Sequence, residues 1–301
     1  PRNRWESIDH YFCEHIWLSD AGIHTAVRDG FLTGINKDDI QPGTLEVRVA
    51  KDSVLGPFQR KVVEHEPVGW EYELFGDIRS SVRRKNIQTS YSPTLQGFIL
   101  TNPTAQPYTV AAGERIGHVY LGGRANGPVA QFEHGRVVTD DREIVALMQQ
   151  GYLEIERPQI KDGFVILHAT DKKASVNVDV ALDVSLTARA PDLEFEQYTT
   201  THLHWNQSTQ IALRQYVKTS PFVGLQIFYF HDMGVHRGGV VDAGFEGALL
   251  VQPVVDDILH VEPGMPLAYC RVVYYEHGVN HGYGGQYQSQ TVDLKGGSHG
   301  S

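Results

Sequence analysis

Apolar and polar residues alternate at every second position through much of this chain. Thr44-Leu45-Glu46-Val47-Arg48-Val49, Asp162 to Leu167, Val176 to Val184, Leu225 to Phe230 and Arg271 to Tyr275 all follow that rule. Period two, punctuated by Gly, Pro and Asp, predicts half-buried antiparallel strands. Helical periodicity is scarce. Ser19 is placed to cap a helix with Ile23, Ala26, Val27 and Phe31 on its apolar face, and Asp141 to Met148 is a second helical stretch. Thirty glycines and fourteen prolines suit many turns. The pattern predicts a mainly β protein, built as two tandem β-barrel or jelly-roll units with a few short helices.

The tandem reading rests on an internal echo. Gly97-Phe-Ile-Leu-Thr-Asn102-Pro103 and Gly247-Ala-Leu-Leu-Val-Gln252-Pro253 stand 150 positions apart. Each then runs through an apolar stretch to a Gly turn, Ala112-Gly113-Glu114 and Pro263-Gly264-Met265. A chain whose halves echo each other at this spacing reads as a duplication. Arg157-Pro158 interrupts regularity after the second helix. The expected division is an N-terminal extension at 1–17, a first unit at 18–155, a second unit with a C-terminal arm at 156–294, and an appended tail at 295–301.

Composition narrows the function classes. The 301 residues are 41% hydrophobic and 21% charged, enough for packed cores. The sequence contains no 18-residue apolar run, so no membrane partner is expected. The opening Pro1-Arg2-Asn3-Arg4-Trp5 lacks an apolar signal stretch, and a cytoplasmic protein is expected. Cys13 and Cys270 are expected as free thiols rather than a disulfide. Net charge is −10, with 26 basic against 36 acidic side chains. That disfavours a nucleic acid polymer, whose binding needs many cations. A single nucleotide needs only a local pocket.

Several motifs resemble one family. Asp77-Ile-Arg79-Ser80-Ser81-Val82-Arg83-Arg84 resembles the Arg-Ser-Ser-x-x-Arg phosphate-binding motif of the dCTP deaminase and dUTPase superfamily. Gly239-Val-Val241-Asp242-Ala-Gly-Phe245-Glu-Gly247 is similar to that family's Gly-x-Ile-Asp strand and turn. Ile40 to Arg48 resembles its opening strand, and Val261 to Met265 its Pro-Gly turn before the last barrel strand. Tyr283-Gly-Gly-Gln286-Tyr287-Gln288-Ser289-Gln290 is similar to the Lys-Tyr-Gln-x-Gln arm of the deaminases. The likeness spans about residues 18–122 and 225–294, and two-module deaminases are its nearest form. It implies dUTPase-like barrels, a deoxynucleoside triphosphate as partner, Mg²⁺ arriving with the triphosphate, no separate protein metal site, and a homo-oligomer, commonly a trimer.

The resemblance also assigns roles. Ser80, Ser81 and Arg84, with Arg79 beside them, would grip phosphate oxygens through hydroxyls, backbone N–H groups and a guanidinium fork. The plain alternative is a solvated basic stretch. Asp242 would act as general base or orient the sugar hydroxyl. Its plain alternative is a turn-forming Asp. Tyr287 and Gln290 would close over the ligand. Gly239, Val241, Phe245, Gln252 and Asn102 are the candidates for the base and sugar pocket.

The two halves differ in what they keep. Ser92 stands 150 positions before Asp242, and Phe230 and Gly234 stand 150 after Ser80 and Arg84. Each half therefore carries one part of a site, which predicts a composite of Ser80, Ser81 and Arg84 with Asp242. The deaminases place a proton-shuttling Glu where this chain has Asn102 and Gln252, and amides cannot exchange a proton as a carboxyl can. Gln286 replaces the arm Lys. Hydrolysis of a pyrimidine triphosphate (dUTP or dCTP) is therefore expected ahead of deamination by another proton shuttle. A catalytically inactive nucleotide-binding or scaffold relative is the competing class. A third class, a metal-dependent barrel enzyme, would use His202 and His204, with His231, His236, His277 and His281 as further ligands.

Overall fold

The computed structural model describes residues 15–78, 87–102, 104–176, 195–204, 208–229, 235–236, 239–251, 253–255, 258–284 and 288–289. In the first half the elements are β1 (His15–Leu18), α1 (Asp20–Arg28), β2 (Ile40–Gln41), β3 (Thr44–Arg48), β4 (Ser53–Leu55), β5 (Arg60–Glu64), β6 (Glu73–Ile78), β7 (Gln88–Ser92), β8 (Gly97–Thr101), β9 (Tyr108–Val110) and β10 (Arg115–Arg124). There follow β11 (His134–Val138), α2 (Asp141–Gln149), β12 (Leu153–Ile155), β13 (Gln159–Lys161), β14 (Phe164–Val176), β15 (Glu196–Gln197), β16 (Thr201–His204), β17 (Ser208–Thr219) and β18 (Val223–Tyr229). The last are β19 (Val235–His236), β20 (Val240–Val241), β21 (Glu246–Val251), β22 (Val254–Val255), β23 (Ile258–Val261) and β24 (Pro266–Tyr275). The protein is mainly β, with antiparallel pairing throughout these strands.

Strand pairing repeats along the chain. In the first half β10 pairs with β1, β3 and β6, while β5 pairs with β8 and β4 with β9. In the second half β24 pairs with β11, β14 and β18, while β17 pairs with β21 and β16 with β23. The segments that echo in sequence, at Gly97 and Gly247, lie at the starts of β8 and β21, which hold the same place in the two sets. Tight turns of the same kind precede β3 and β14, where Gly43 and Gly163 both take positive φ, near 77° and 78°.

Both helices follow their capping residues. The Ser19 side chain accepts from Gly22 N–H, and Asp140 accepts from Arg142 N–H. Ile23 and Ala26 are buried as expected, but α1 stops at Arg28, and Gly30 turns left-handed. Phe31 therefore leaves the helix face and is 43% exposed, edge-on to Phe132. The strand expected at Val176–Val184 falls beyond Val176 outside the described residues, as does Cys13. Cys270 is a buried free thiol. Among the described residues no helix is long and apolar enough to cross a membrane.

One large core draws on residues from Ile16 to Phe132, and another on residues from Val138 to Val272. The changeover precedes α2, whose Ile144 and Leu147 sit in the second core. Between them the sheet is continuous, because β1 pairs with both β10 and β11, and β11 pairs with β24. Two small clusters fill this junction. Trp17 and Tyr120 pack with Phe75, Phe228 and Val240, and Ala243 packs with Val273, Tyr275 and Val279.

Candidate active site at the junction of the two cores

Strand alternation aims the candidate chemistry at the junction. In β3, Leu45 and Val47 enter the first core, so Glu46 points the opposite way. That face would meet water in an isolated sheet, yet Glu46 is buried. Its Oε2 lies 2.7 Å from Arg115 Nη1 on β10. Arg115 also reaches Asp39 at 3.2 Å, and Arg48 grips Asp39 with a two-pronged fork at 2.7 and 2.9 Å. Glu46 is thus held by a cation that is itself fixed in a network.

Asp242 approaches from the second half. β20 pairs with β18 through Leu225 and Val241, and the chain turns at Asp242-Ala243-Gly244. Phe245 N–H donates to the Asp242 carbonyl at 3.2 Å, and the Thr219 hydroxyl donates to the same carbonyl, also at 3.2 Å. Thr219 in addition accepts from Phe245 N–H at 3.0 Å. These bonds fix the backbone and leave the carboxyl group to its surroundings. Asp242 as a residue is half-buried, while its carboxyl is closely surrounded by protein. Its pKa is pushed up to about 7, first by burial and second by the Glu46 carboxylate.

Tyr275 ties the two sides together. Its side chain is buried, and its hydroxyl fills the place a β-carbon on Gly43 in the β2–β3 turn would take. Burial, then Asp242 and Asp20, raise its pKa far above the usual phenol range. Asp20, in the first turn of α1, accepts from the N–H of Asn280 at 3.0 Å and of His281 at 3.3 Å. The chain beyond β24 is thereby anchored on the first half. It then crosses the Asp242 turn: Tyr283 N–H donates to the Ala243 carbonyl at 2.8 Å, and Gly282 packs on Gly244. Further along, the Gln288 side chain bonds the Gly244 carbonyl and Glu246 N–H, both at 3.1 Å. The C-terminal arm therefore lies over the turn that carries Asp242.

No protein-family model and no curated protein matches this chain. Among solved structures, the 2′-deoxycytidine 5′-triphosphate deaminase from Agrobacterium tumefaciens is similar, with a TM-score of 0.62 and 14% sequence identity. The match covers 87% of this chain and 99% of that one. The chain has the fold of that deaminase.

Within this deaminase-like fold the expected site residues fall into three groups. Arg79, Ser80, Ser81, Arg84, Gln252, Tyr287 and Gln290 lie outside the described residues. The approach to the Arg-Ser-Ser segment is described: β6 ends at Ile78, which pairs with Gly117, and Gly117 pairs with Val47. Two strand spacings, about 10 Å, thus separate Ile78 from the Glu46 strand.

Asp242, Gly239, Val241 and Phe245 form the second group, on and around one turn. Gly239 accepts from Ile227 N–H at 2.7 Å, and its α-carbon faces open space. Val241 and Phe245 point into the second core, with Phe245 against the Tyr283 ring at 5.6 Å.

Asn102 stands apart from the Asp242 turn. It is fully buried; its amide donates to the carbonyls of Gly56 at 3.1 Å and Gln106 at 2.7 Å. Its oxygen accepts from Thr104 N–H at 3.0 Å and the Thr104 hydroxyl at 2.7 Å. Every polar atom of the side chain is engaged in holding two loops, which leaves none to read a base.

The imidazoles form a separate feature. His202 on β16 faces His260 on β23 with ring centroids 4.2 Å apart, and His204 is 6.5 Å from His202. Among the described residues no three His, Cys, Asp or Glu side chains are grouped to hold a metal ion. Glu46 and Asp20 were not singled out by sequence reasoning, and Tyr275 was read only as one of an aromatic pair able to stack on a base or fill a core. Glu46 reads as a solvent-facing position in an alternating strand, and nothing local marks its burial.

Proposed function

We propose that this chain processes a deoxynucleoside triphosphate, hydrolysing a pyrimidine nucleotide (dUTP or dCTP) to its monophosphate and pyrophosphate. The observation that carries the reading is Asp242: a carboxyl with its pKa near 7, at a junction between two cores, on a deaminase-like fold. A general base works best when its proton affinity lies near the operating pH. In this reading ionised Asp242 takes a proton from water. The water oxygen bonds to the α-phosphorus as the bridging bond to the β-phosphate breaks, and pyrophosphate leaves with that electron pair. Ser80, Ser81 and Arg84 grip the phosphate oxygens, and Tyr287 and Gln290 on the arm close over the ligand. Gly239 leaves room for base or sugar beside the turn, with Asn102 and Gln252 the remaining pocket candidates of the motif reading.

Mg²⁺ belongs to this reading as a companion of the substrate. In this reading the ion is held largely by phosphate oxygens of the substrate. Bound there, it would neutralise charge that develops on the leaving pyrophosphate. We read the chain as two tandem dUTPase-like units, a reading supported by the repeated strand pairings, and expect threefold self-assembly.

A second reading is a nucleotide-binding protein without turnover. The structural engagement of Asn102, where deaminases place their shuttle Glu, favours it. Chromatography of products after incubation with Mg²⁺ and each of dUTP, dCTP, dTTP, dATP and dGTP separates the readings. Monophosphate plus pyrophosphate supports hydrolysis. A deaminated base means that another group moves the proton. No turnover, with thermal stabilisation by one nucleotide, supports the binding reading.

A further inference from the structure

We propose that His202 and His260 form a two-imidazole clasp for one divalent transition-series ion, Zn²⁺, Ni²⁺ or Cu²⁺, laid across the small sheet of β16 and β23. These side chains take no part in the nucleotide chemistry above, so turnover by the chain neither supports nor excludes the clasp.

The pair follows from alternation and register. In Thr201-His202-Leu203-His204, Thr201 and Leu203 are buried, and Leu203 lies in the second core. In Ile258-Leu259-His260-Val261, Val261 enters that core and Leu259 packs against it. His202 and His260 therefore turn outward on the same face, and both are exposed. The antiparallel register sets them directly opposite each other. A slip of one residue would send one imidazole to the core face.

Distances suit two ligands and not three. The His202 and His260 ring centroids are 4.2 Å apart. Nitrogen–metal bonds of about 2 Å place the centroids of two ligating imidazoles about 4.5–5 Å apart at right or tetrahedral angles. Small rotations of two exposed rings supply the difference. His204 lies 6.5 Å from His202, which would need its ring on nearly the opposite side of the ion. Among the described residues no hydrogen bond or ion pair engages these three rings, so their nitrogens are open to a ligand. Neutral imidazole suits Zn²⁺, Ni²⁺ and Cu²⁺, whereas Mg²⁺ takes oxygen. Water completes the coordination. The two ligands come from strands distant in sequence, so the ion fastens β16 to β23 and favours the folded chain.

The test uses the whole chain, freed of metal by a chelator and dialysed. Calorimetric titration with Zn²⁺, Ni²⁺ and Cu²⁺ in turn should show, for at least one of them, one tightest site per chain from which excess Mg²⁺ does not displace the ion. His202→Gln and His260→Gln should each weaken that site by roughly a hundredfold, the gain lost when two linked ligands become one. His204→Gln should leave it unchanged. The bound ion should raise the thermal midpoint of the parent and not of His202→Gln. Both rings of the pair are exposed, so the variants should keep the parent's circular dichroism. An ion bound equally well by the parent and both pair variants lies on other histidines and overturns the clasp. So does the absence of any saturable site, or a loss in His204→Gln as large as in the pair.

Discussion

The hydroxyl of Tyr275 fills the place that a β-carbon on Gly43 would need, so the last long strand of the second half rests on a hairpin turn of the first. Gly43 adopts φ 77°, which a side chain tolerates poorly, and a β-carbon would collide with the phenol. Gly43→Ala should therefore destabilise the protein by roughly 2 kcal/mol, the sum of backbone strain and the displaced ring. Urea unfolding measures it. A smaller effect on a Tyr275→Phe background would locate the cost in the hydroxyl contact.

Asp242 should weaken the fold it serves. Its pKa is raised in the folded chain to about 7 from the ordinary 3.8, so the folded state binds more protons than the unfolded one between those values. Stability should then fall as pH rises through that window and level off above it. Asp242→Asn removes the cost. It should melt like the parent near pH 4 and be more stable at pH 8, on the order of 2 kcal/mol after allowing for partial solvent contact. Thermal denaturation at the two pH values checks the sign.

Asn102 should behave as a structural clamp. Asn102→Ala strands the Thr104 N–H and two loop carbonyls inside the protein, at a cost of roughly 2–4 kcal/mol. Asn102→Glu should not create deaminase activity, because the position faces loop backbone. Measured stability and product analysis of the two variants test both statements.

The arm should loosen when its anchor is neutralised. Asp20→Asn turns charge-assisted bonds to Asn280 and His281 into ordinary ones. Hydrogen exchange at residues 278–284 should speed up by about tenfold, while the central strands stay protected. Equal exchange in parent and variant would show that the arm is held by Gln288 and Tyr283 alone.

The phosphate grip should act on binding. Arg84→Ala should weaken nucleotide triphosphate affinity by roughly ten- to a hundredfold, the worth of one charged hydrogen-bonded contact. Calorimetric titration with a non-hydrolysable analogue measures it. Unchanged affinity would return Arg79 to Arg84 to a solvated basic stretch.

Much of the framework was legible in the sequence. The period-two segments at 44–49, 162–167, 225–230 and 271–275 fall largely within the strands Thr44–Arg48, Phe164–Val176, Val223–Tyr229 and Pro266–Tyr275, and Ser19 caps the helix before Ile23. Local rules suffice where a residue's neighbours are its own strand and turn. They fail where burial comes from distant chain. Glu46 follows the alternation and should face water, but the folded chain buries it beside Arg115. Asn102 resembles a site position by motif count, yet its side chain is engaged by loops that begin at Leu55 and Thr104. Phe31 fits the helical period, but Gly30 turns the chain before it. The Asp242 turn was visible in its motif. Its proton affinity was not, because that depends first on how deeply the folded chain buries the carboxyl.

The central claim is that Asp242 performs chemistry on a nucleotide, and turnover by Asp242→Asn tests it most directly. Rates with dUTP and dCTP, with Mg²⁺ present, are compared between parent and a variant shown to be folded and at least as stable. The account predicts monophosphate and pyrophosphate from the parent and a loss of about a thousandfold or more in the variant, with nucleotide binding retained. Equal turnover by the two proteins would contradict it and leave Asp242 a buried turn residue.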